Sequence, residues 1–402
     1  VSERARAGER RGVAVKQELA FPLRERLIFL VLGGSRLYGL NTEKSDTDCK
    51  GVAVPPKEVV FGCDRTFEQA ENHPDALALL RPEDFGPDRK AESVVYALPK
   101  FLRLCADCNP NIIETLWAEP ADIRHCDRFG EKLLAHRDLF LTRRARFTFQ
   151  GYAESQLKRI KTHRRWLLQP PAKKPERADY NLPMVVSAQF NTINDLIKKE
   201  LDHWELHELE LAEPQREFLR ERVAEKFAYI MDAYGLKSAM IRASGGPSLD
   251  PDDEEVSRAA VMKKIGLEDN LARLVTEEYR YRKALWEYRQ FELWKQNRNA
   301  DRAELERHFG YDTKHAMHLV RLLRMGREIL ADGRVIVKRP DREELLAIRA
   351  GQWSYDQLME SVESLSRDLE DLLRRCPLPA KPDMEKVEAL CVELMEERLR
   401  EG

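Results

Sequence analysis

Residues 33–51 read GGSRLYGLNTEKSDTDCKG, and this order of glycines, a serine and paired acids governs what fold and chemistry to expect. The apolar run Leu27–Leu32 precedes it and reads as a buried strand that stops at Gly33–Gly34. Ser35–Leu40 then reads as a short turn or helix, and Asp46–Val54 as a second strand ended by Pro55–Pro56. Asp46 and Asp48 are two residues apart, so on a strand both carboxylates leave the same face. Two acids held side by side repel each other unless a cation lies between them. Their hard oxygens suit Mg²⁺ or Mn²⁺. Phosphoryl transfer uses this arrangement, with two cations ~3.5–4 Å apart holding the entering and leaving oxygens. Upstream, Gly34–Ser35 follows the first strand, where glycine lets backbone N–H groups approach phosphate and serine adds a donor. A DxD pair by itself is usually a solvated turn, and a lone Gly-Ser says less still. The signal lies in their order and spacing.

Outward from this stretch, 402 residues leave ample chain for two or three domains. Charged residues at 34% against 43% hydrophobic predict a soluble globular protein, and Leu27–Leu32, the longest apolar run, is too short to span a bilayer. Residues 1–24 are polar and Arg-rich, which predicts a loose arm rather than a signal peptide. Seven scattered cysteines predict a reducing cytoplasm, and Cys105 and Cys108 sit in an apolar helical pattern that favours core packing over zinc. Residues 62–90, rich in polar residues and proline, read as loop, and Glu92–Leu98 as a third strand running into a helix. Beyond Asn111 helix dominates, as in Gln215–Tyr234 and Glu277–Asn297, with linkers at Pro170–Pro175 and Ser244–Asp253. Gly351 is expected to end one helix, and Ser354 with Gln357 to cap the next. The fold class expected is α+β. A small mixed-sheet domain over residues 25–120 is followed by a large helical domain over 121–402.

The stretch GGSRLYGLNTEKSDTDCKGV resembles the signature of the DNA polymerase beta superfamily of nucleotidyltransferases, through Gly34–Ser35 and Asp46–x–Asp48. It is similar to a narrower bacterial and phage branch, the RNA-ligase-associated nucleotidyltransferases. Further likenesses are AESVVYALPKFLRL, NPNIIETLW, GYDTKHAMHLVRLLRMG and RPDREELLAIRAGQWSY, so the resemblance runs from about Leu27 to Tyr355. It implies two Mg²⁺ (or Mn²⁺) ions, an NTP substrate, and a third carboxylate on a neighbouring strand. Glu92 begins the alternating run Glu92, Val94, Tyr96 and is the choice; many relatives carry Asp there, and Asp88 is the alternative. The resemblance also implies cations from a helical domain reaching the triphosphate. Lys314, His318 and Arg321 share one face of the helix expected over Asp312–Met325 and suit that role, or form a solvated basic face.

Net charge is −2, yet residues 137–177 hold twelve Lys/Arg against Asp138, Glu154 and Glu176. Within them, Lys161, Arg164 and Arg165 with Trp166 offer cations and an aromatic to single-stranded RNA, or a solvated helix face. The function expected is transfer of a nucleoside monophosphate from an NTP to an acceptor hydroxyl with release of pyrophosphate. The acceptor favoured by family association is an RNA 3′ end, beside an RNA ligase as possible partner. Nucleotidylation of a protein hydroxyl, and a non-catalytic RNA-binding module that senses nucleotide, stand as alternatives.

Overall fold

The computed structural model describes residues 19–43, 45–182, 269–298 and 300–401. The helix expected over Gln215–Tyr234, the linker at Ser244–Asp253 and most of the N-terminal arm lie outside them. Five strands form one mixed sheet in the order β3-β4-β2-β1-β5. They are β1 (Leu27–Gly33), β2 (Thr47–Ala53), β3 (Gln69–Glu71), β4 (Ala91–Ala97) and β5 (Ile123–Cys126). β1 lies second from one edge and is buried along its whole length, which its unbroken apolar sequence LIFLVL requires. It pairs antiparallel with β2 and β5, while β2 pairs parallel with β4.

β2 and β4 alternate. Thr47, Cys49, Ser93, Val95 and Ala97 are buried, whereas Asp48, Lys50, Val94 and Tyr96 are half-buried and Glu92 is exposed. Cys49 and Val95 join a core with Leu30, Leu32, Val59, Ala70 and Ala76, and the polar residues take the opposite face. The sheet therefore has one greasy side and one side available for chemistry.

The strands depart from the sequence expectation at three places. The segment 62–90 is more than loop, because β3 lies within it and pairs antiparallel with β4. β5 closes the other edge against β1. Asp46 stands one residue ahead of β2 rather than inside it.

The helices used below are α1 (Gly34–Leu37), α2 (Leu98–Ala106), α3 (Ala145–Leu168), α4 (Asp269–Gln296), α5 (Ala300–Phe309), α6 (Thr313–Asp332), α7 (Arg342–Arg349) and α8 (Tyr355–Arg375). α2 buries Leu98, Phe101, Leu102 and Cys105, the stripe that its spacing dictates. Cys105 and Cys108 are both fully buried, and the Cys108 thiol donates to the Phe140 carbonyl at 3.2 Å. Gly351, at φ +80°, follows α7, and the Ser354–Gln357 capping box opens α8. The described chain divides into two compact units, one reaching Ala153 and resuming at Ala316, the other spanning Glu154–His315. No helix among the described residues is long and apolar enough to cross a membrane.

Candidate active site

Gly33 closes β1 opposite Asp48, and the next residue turns the chain into α1. Gly34 has φ +56°, a left-handed backbone, and a Cβ there would stand 2.1 Å from Asp48 Oδ2. Conformation and space both demand glycine. The Asp48 carboxylate thus lies against the backbone of the Gly-Ser turn, which joins the two halves of the motif in space. On its other side Asp48 is in parallel register with Glu92, placing these two acids on adjacent strands and one face. Asp46 is exposed just ahead of β2, between buried Ser45 and Thr47. Asp88 occupies the exposed loop before β4, where it faces Lys90 at 3.6 Å.

The segment carrying these acids is pinned from below. Arg36 Nε donates to Thr47 Oγ1 at 3.1 Å, and the Thr47 hydroxyl donates to the Asp84 carbonyl. Arg124 of β5 grips the Asp84 carboxylate, Nε to Oδ2 at 2.6 Å. Burial alone would raise the Asp84 pKa, but the Arg124 hydrogen bonds outweigh it and hold the carboxyl below its ordinary range. The edge strand β5 therefore fixes the loop under the DxD segment.

Asp46, Asp48 and Glu92 offer only carboxylate oxygens at a partly open face, a donor set that fits Mg²⁺ or Mn²⁺ with room left for substrate and water. Their ligand atoms are not drawn into one knot. Among the described residues, the trio whose ligand atoms lie within 4.8 Å of one another is His163, Glu306 and Asp312.

A buried charge network adjoins the acids, and the sequence reading missed most of it. Lys50 follows Asp48 on the same face, donates to the Asn111 carbonyl and lies 3.9 Å from Glu114. Glu114 is fully buried and accepts from the Tyr38 hydroxyl at 2.6 Å. The Arg321 guanidinium sits 3.7 Å from the Tyr38 ring centroid and 3.6 Å from Glu114 Oε2. Burial lowers the Lys50 pKa against the opposing pull of Glu114 and Asp48, and burial raises the Tyr38 phenol well above its ordinary value. Period-two alternation from Asp48 would have flagged Lys50. Tyr38 and Glu114, far apart in sequence, gave no such signal.

The other expected residues fall as follows. Lys314 and His318 are half-buried on α6, whereas Arg321 is only 3% exposed and points inward to Glu114. Lys161 and Arg165 are exposed on α3; Arg165 lies 3.3 Å from Glu287, and Arg164 donates to the Gly310 carbonyl at 2.8 Å. Trp166 is buried against Trp294, Phe291 and His163, so its ring is not offered to a base. That corrects the expected interleaving of cations with an aromatic.

The mixed sheet thus sets the Gly-Ser turn against a strand-borne carboxylate, with Glu92 in register beside it. Residues 10–174 match the model of the RlaP family, the RNA repair pathway DNA polymerase beta family. That segment contains the Gly-Ser turn, all three acids, Glu114 and the basic run, while GYDTKHAMHLVRLLRMG and RPDREELLAIRAGQWSY lie beyond it. No curated protein and no solved structure matches the chain.

Proposed function

We propose that the chain transfers a nucleoside monophosphate from an NTP to the 3′ hydroxyl of an RNA, in RNA repair. The observation that carries this reading is the seating of Asp48 on the Gly34 backbone with Glu92 in register beside it. Asp46, Asp48 and Glu92 would hold divalent ions; bound there, magnesium supplies charge neutralisation and a lowered pKa for the attacking hydroxyl. Gly34 and Ser35 present backbone and hydroxyl donors to the outer phosphates. His318 adds a hydrogen bond to the same triphosphate. Arg321 acts at one remove, because its charge is committed to Glu114 and its plane to Tyr38. It thereby positions Tyr38 and Lys50 beside Asp48. The exposed cations of α3, Lys161 foremost, hold the RNA backbone.

The family match supports a nucleotidyltransferase of RNA repair; the acceptor is the part that needs experiment. Purified chain is given α-labelled NTP with magnesium and offered RNA ending in a 3′ hydroxyl, or a host protein extract. Label on RNA that disappears in Asp48→Asn is the expected result. Label on protein alone would replace the RNA acceptor with a protein hydroxyl. Binding of nucleotide and RNA with no label on either would identify a non-catalytic sensor.

A further inference from the structure

A second cluster of ligand-type side chains lies in the unit spanning Glu154–His315, made of that unit's own residues. His163 comes from α3, Glu306 from α5, and Asp312 from the residue just before α6. One ligand atom from each lies within 4.8 Å of the other two, and the carboxylates of Glu306 and Asp312 are 4% and 2% exposed as residues. A fourth ligand is at hand, since His315 Nε2 stands 3.6 Å from Asp312 Oδ2 and the His163 and His315 rings are 6.1 Å apart.

The surroundings are built for a fixed, poorly hydrated centre. Trp166 and Trp294 pack against His163, and Phe291 packs against both tryptophans. Arg298, lying 4.2 Å over the Trp294 ring, donates to Glu306 Oε2 at 2.5 Å and so orients that carboxylate. Asp312 Oδ1 accepts the His315 backbone N–H at 3.0 Å, which fixes the carboxylate. Glu306 lies 2.5 Å from Arg298 and Asp312 3.6 Å from His315, so a neighbouring side chain holds each buried carboxylate in place. A divalent ion between two buried carboxylates relieves their mutual repulsion.

We propose that His163, Glu306, Asp312 and His315 bind one zinc ion that ties α3, α5 and the start of α6 together. Imidazole nitrogens mixed with carboxylate oxygens select a first-row transition ion over magnesium. A tetrahedral zinc with ligands at 2.0–2.2 Å requires ligand atoms about 3.4 Å apart, so the three atoms, within 4.8 Å of one another, draw together on binding.

The test uses the full chain carrying Asp46→Asn and Asp48→Asn, which removes the other expected metal ligands. After chelator treatment and dialysis against zinc, elemental analysis should find about one zinc per chain. Glu306→Gln and Asp312→Asn, near-isosteric changes checked for folding by circular dichroism, should each weaken zinc binding by roughly tenfold or more. Zinc should raise the Tm of the parent and fail to raise that of Glu306→Gln. Cobalt in place of zinc should give visible absorption bands in the parent that Glu306→Gln lacks. No retained zinc in the Asp46→Asn, Asp48→Asn chain would overturn the proposal. Equal zinc in folded Glu306→Gln and Asp312→Asn would overturn it too.

Discussion

Gly34 and Asp48 show how a single position can couple backbone to chemistry. A methyl group at Gly34 meets Asp48 Oδ2 at 2.1 Å and forces a left-handed residue into strain. Gly34→Ala is expected to lower transfer roughly 100-fold, as a misplaced reacting group would, while circular dichroism stays unchanged. Wild-type turnover in that variant would contradict the proposed seat of the carboxylate. Glu92→Gln should reduce kcat more than it raises KM for NTP, with Asp88→Asn near wild type. The reverse pattern moves the third acid to Asp88. Arg321 makes a different kind of prediction, because it is 3% exposed and its partner Glu114 is fully buried. Arg321→Ala leaves buried Glu114 with Lys50 at 3.9 Å as its remaining cation and should cost about 3 kcal/mol in denaturant unfolding. Pairing Arg321→Met with Glu114→Gln should recover much of that loss. Unchanged stability with a raised KM would instead make Arg321 a direct nucleotide contact.

At the level of elements, the entry to α7 is held by charge, since Asp341 at its N-cap makes no capping hydrogen bond with its side chain. Arg339, almost wholly buried, donates to both oxygens of Glu328 at 2.6 and 2.7 Å and to Asp341 Oδ1 at 2.8 Å. Arg324 reaches from α6 to Asp341 Oδ2 at 2.7 Å and to Glu344. Burial raises the Asp341 carboxyl, but hydrogen bonds from Arg339 and Arg324 outweigh it and hold it below the ordinary range. Arg324 likewise depresses Glu344. A depressed folded pKa means the unfolded chain takes up its proton first. This stabilisation is therefore complete above the ordinary carboxylate range and fades as pH falls through it. Thermal unfolding measured from about pH 6 to pH 3 should show a steeper acid loss in wild type than in Arg324→Ala. Parallel curves would mean that these pairs contribute nothing to acid stability. The α8 capping box gives a milder test, since Ser354→Ala should cost about 1 kcal/mol.

For the whole molecule, a net charge of −2 conceals a strong local imbalance, and structure trims how much of it is available. Arg164 is spent on the Gly310 carbonyl and Arg165 faces Glu287, whereas Arg159 and Lys161 are exposed. If these two hold an RNA strand, Arg159→Ala with Lys161→Ala should reduce the log–log salt slope of RNA binding by about 1.4. NTP binding should be unaffected. Equal slopes in both proteins would remove the basic helix as the RNA site and favour a protein acceptor. Arg164→Ala is expected to act through stability instead, by stranding the Gly310 carbonyl.

The front of the fold was legible because it is local. An apolar run makes a buried strand, a Gly-Gly pair ends it, and alternation puts Asp48 on the open face with Lys50 after it. The Ser354 cap and the α2 stripe belong to the same class, each fixed within a few residues by hydrogen bonding or helical period. β3 and β5 are short edge strands whose identity comes from pairing with β4 and β1, so their own three or four residues carried little pattern. Whether a cation faces water or a buried acid is likewise decided by distant chain, as Arg321 shows by meeting Tyr38 and Glu114. The same holds for His163, Glu306 and Asp312, spread over three helical segments with no spacing to announce them. Sequence by itself determined the strand-turn-strand unit and its acids, because short-range sterics and alternation suffice for those. Tertiary structure alone decided which charges are buried together, because desolvation depends on neighbours that no local window contains.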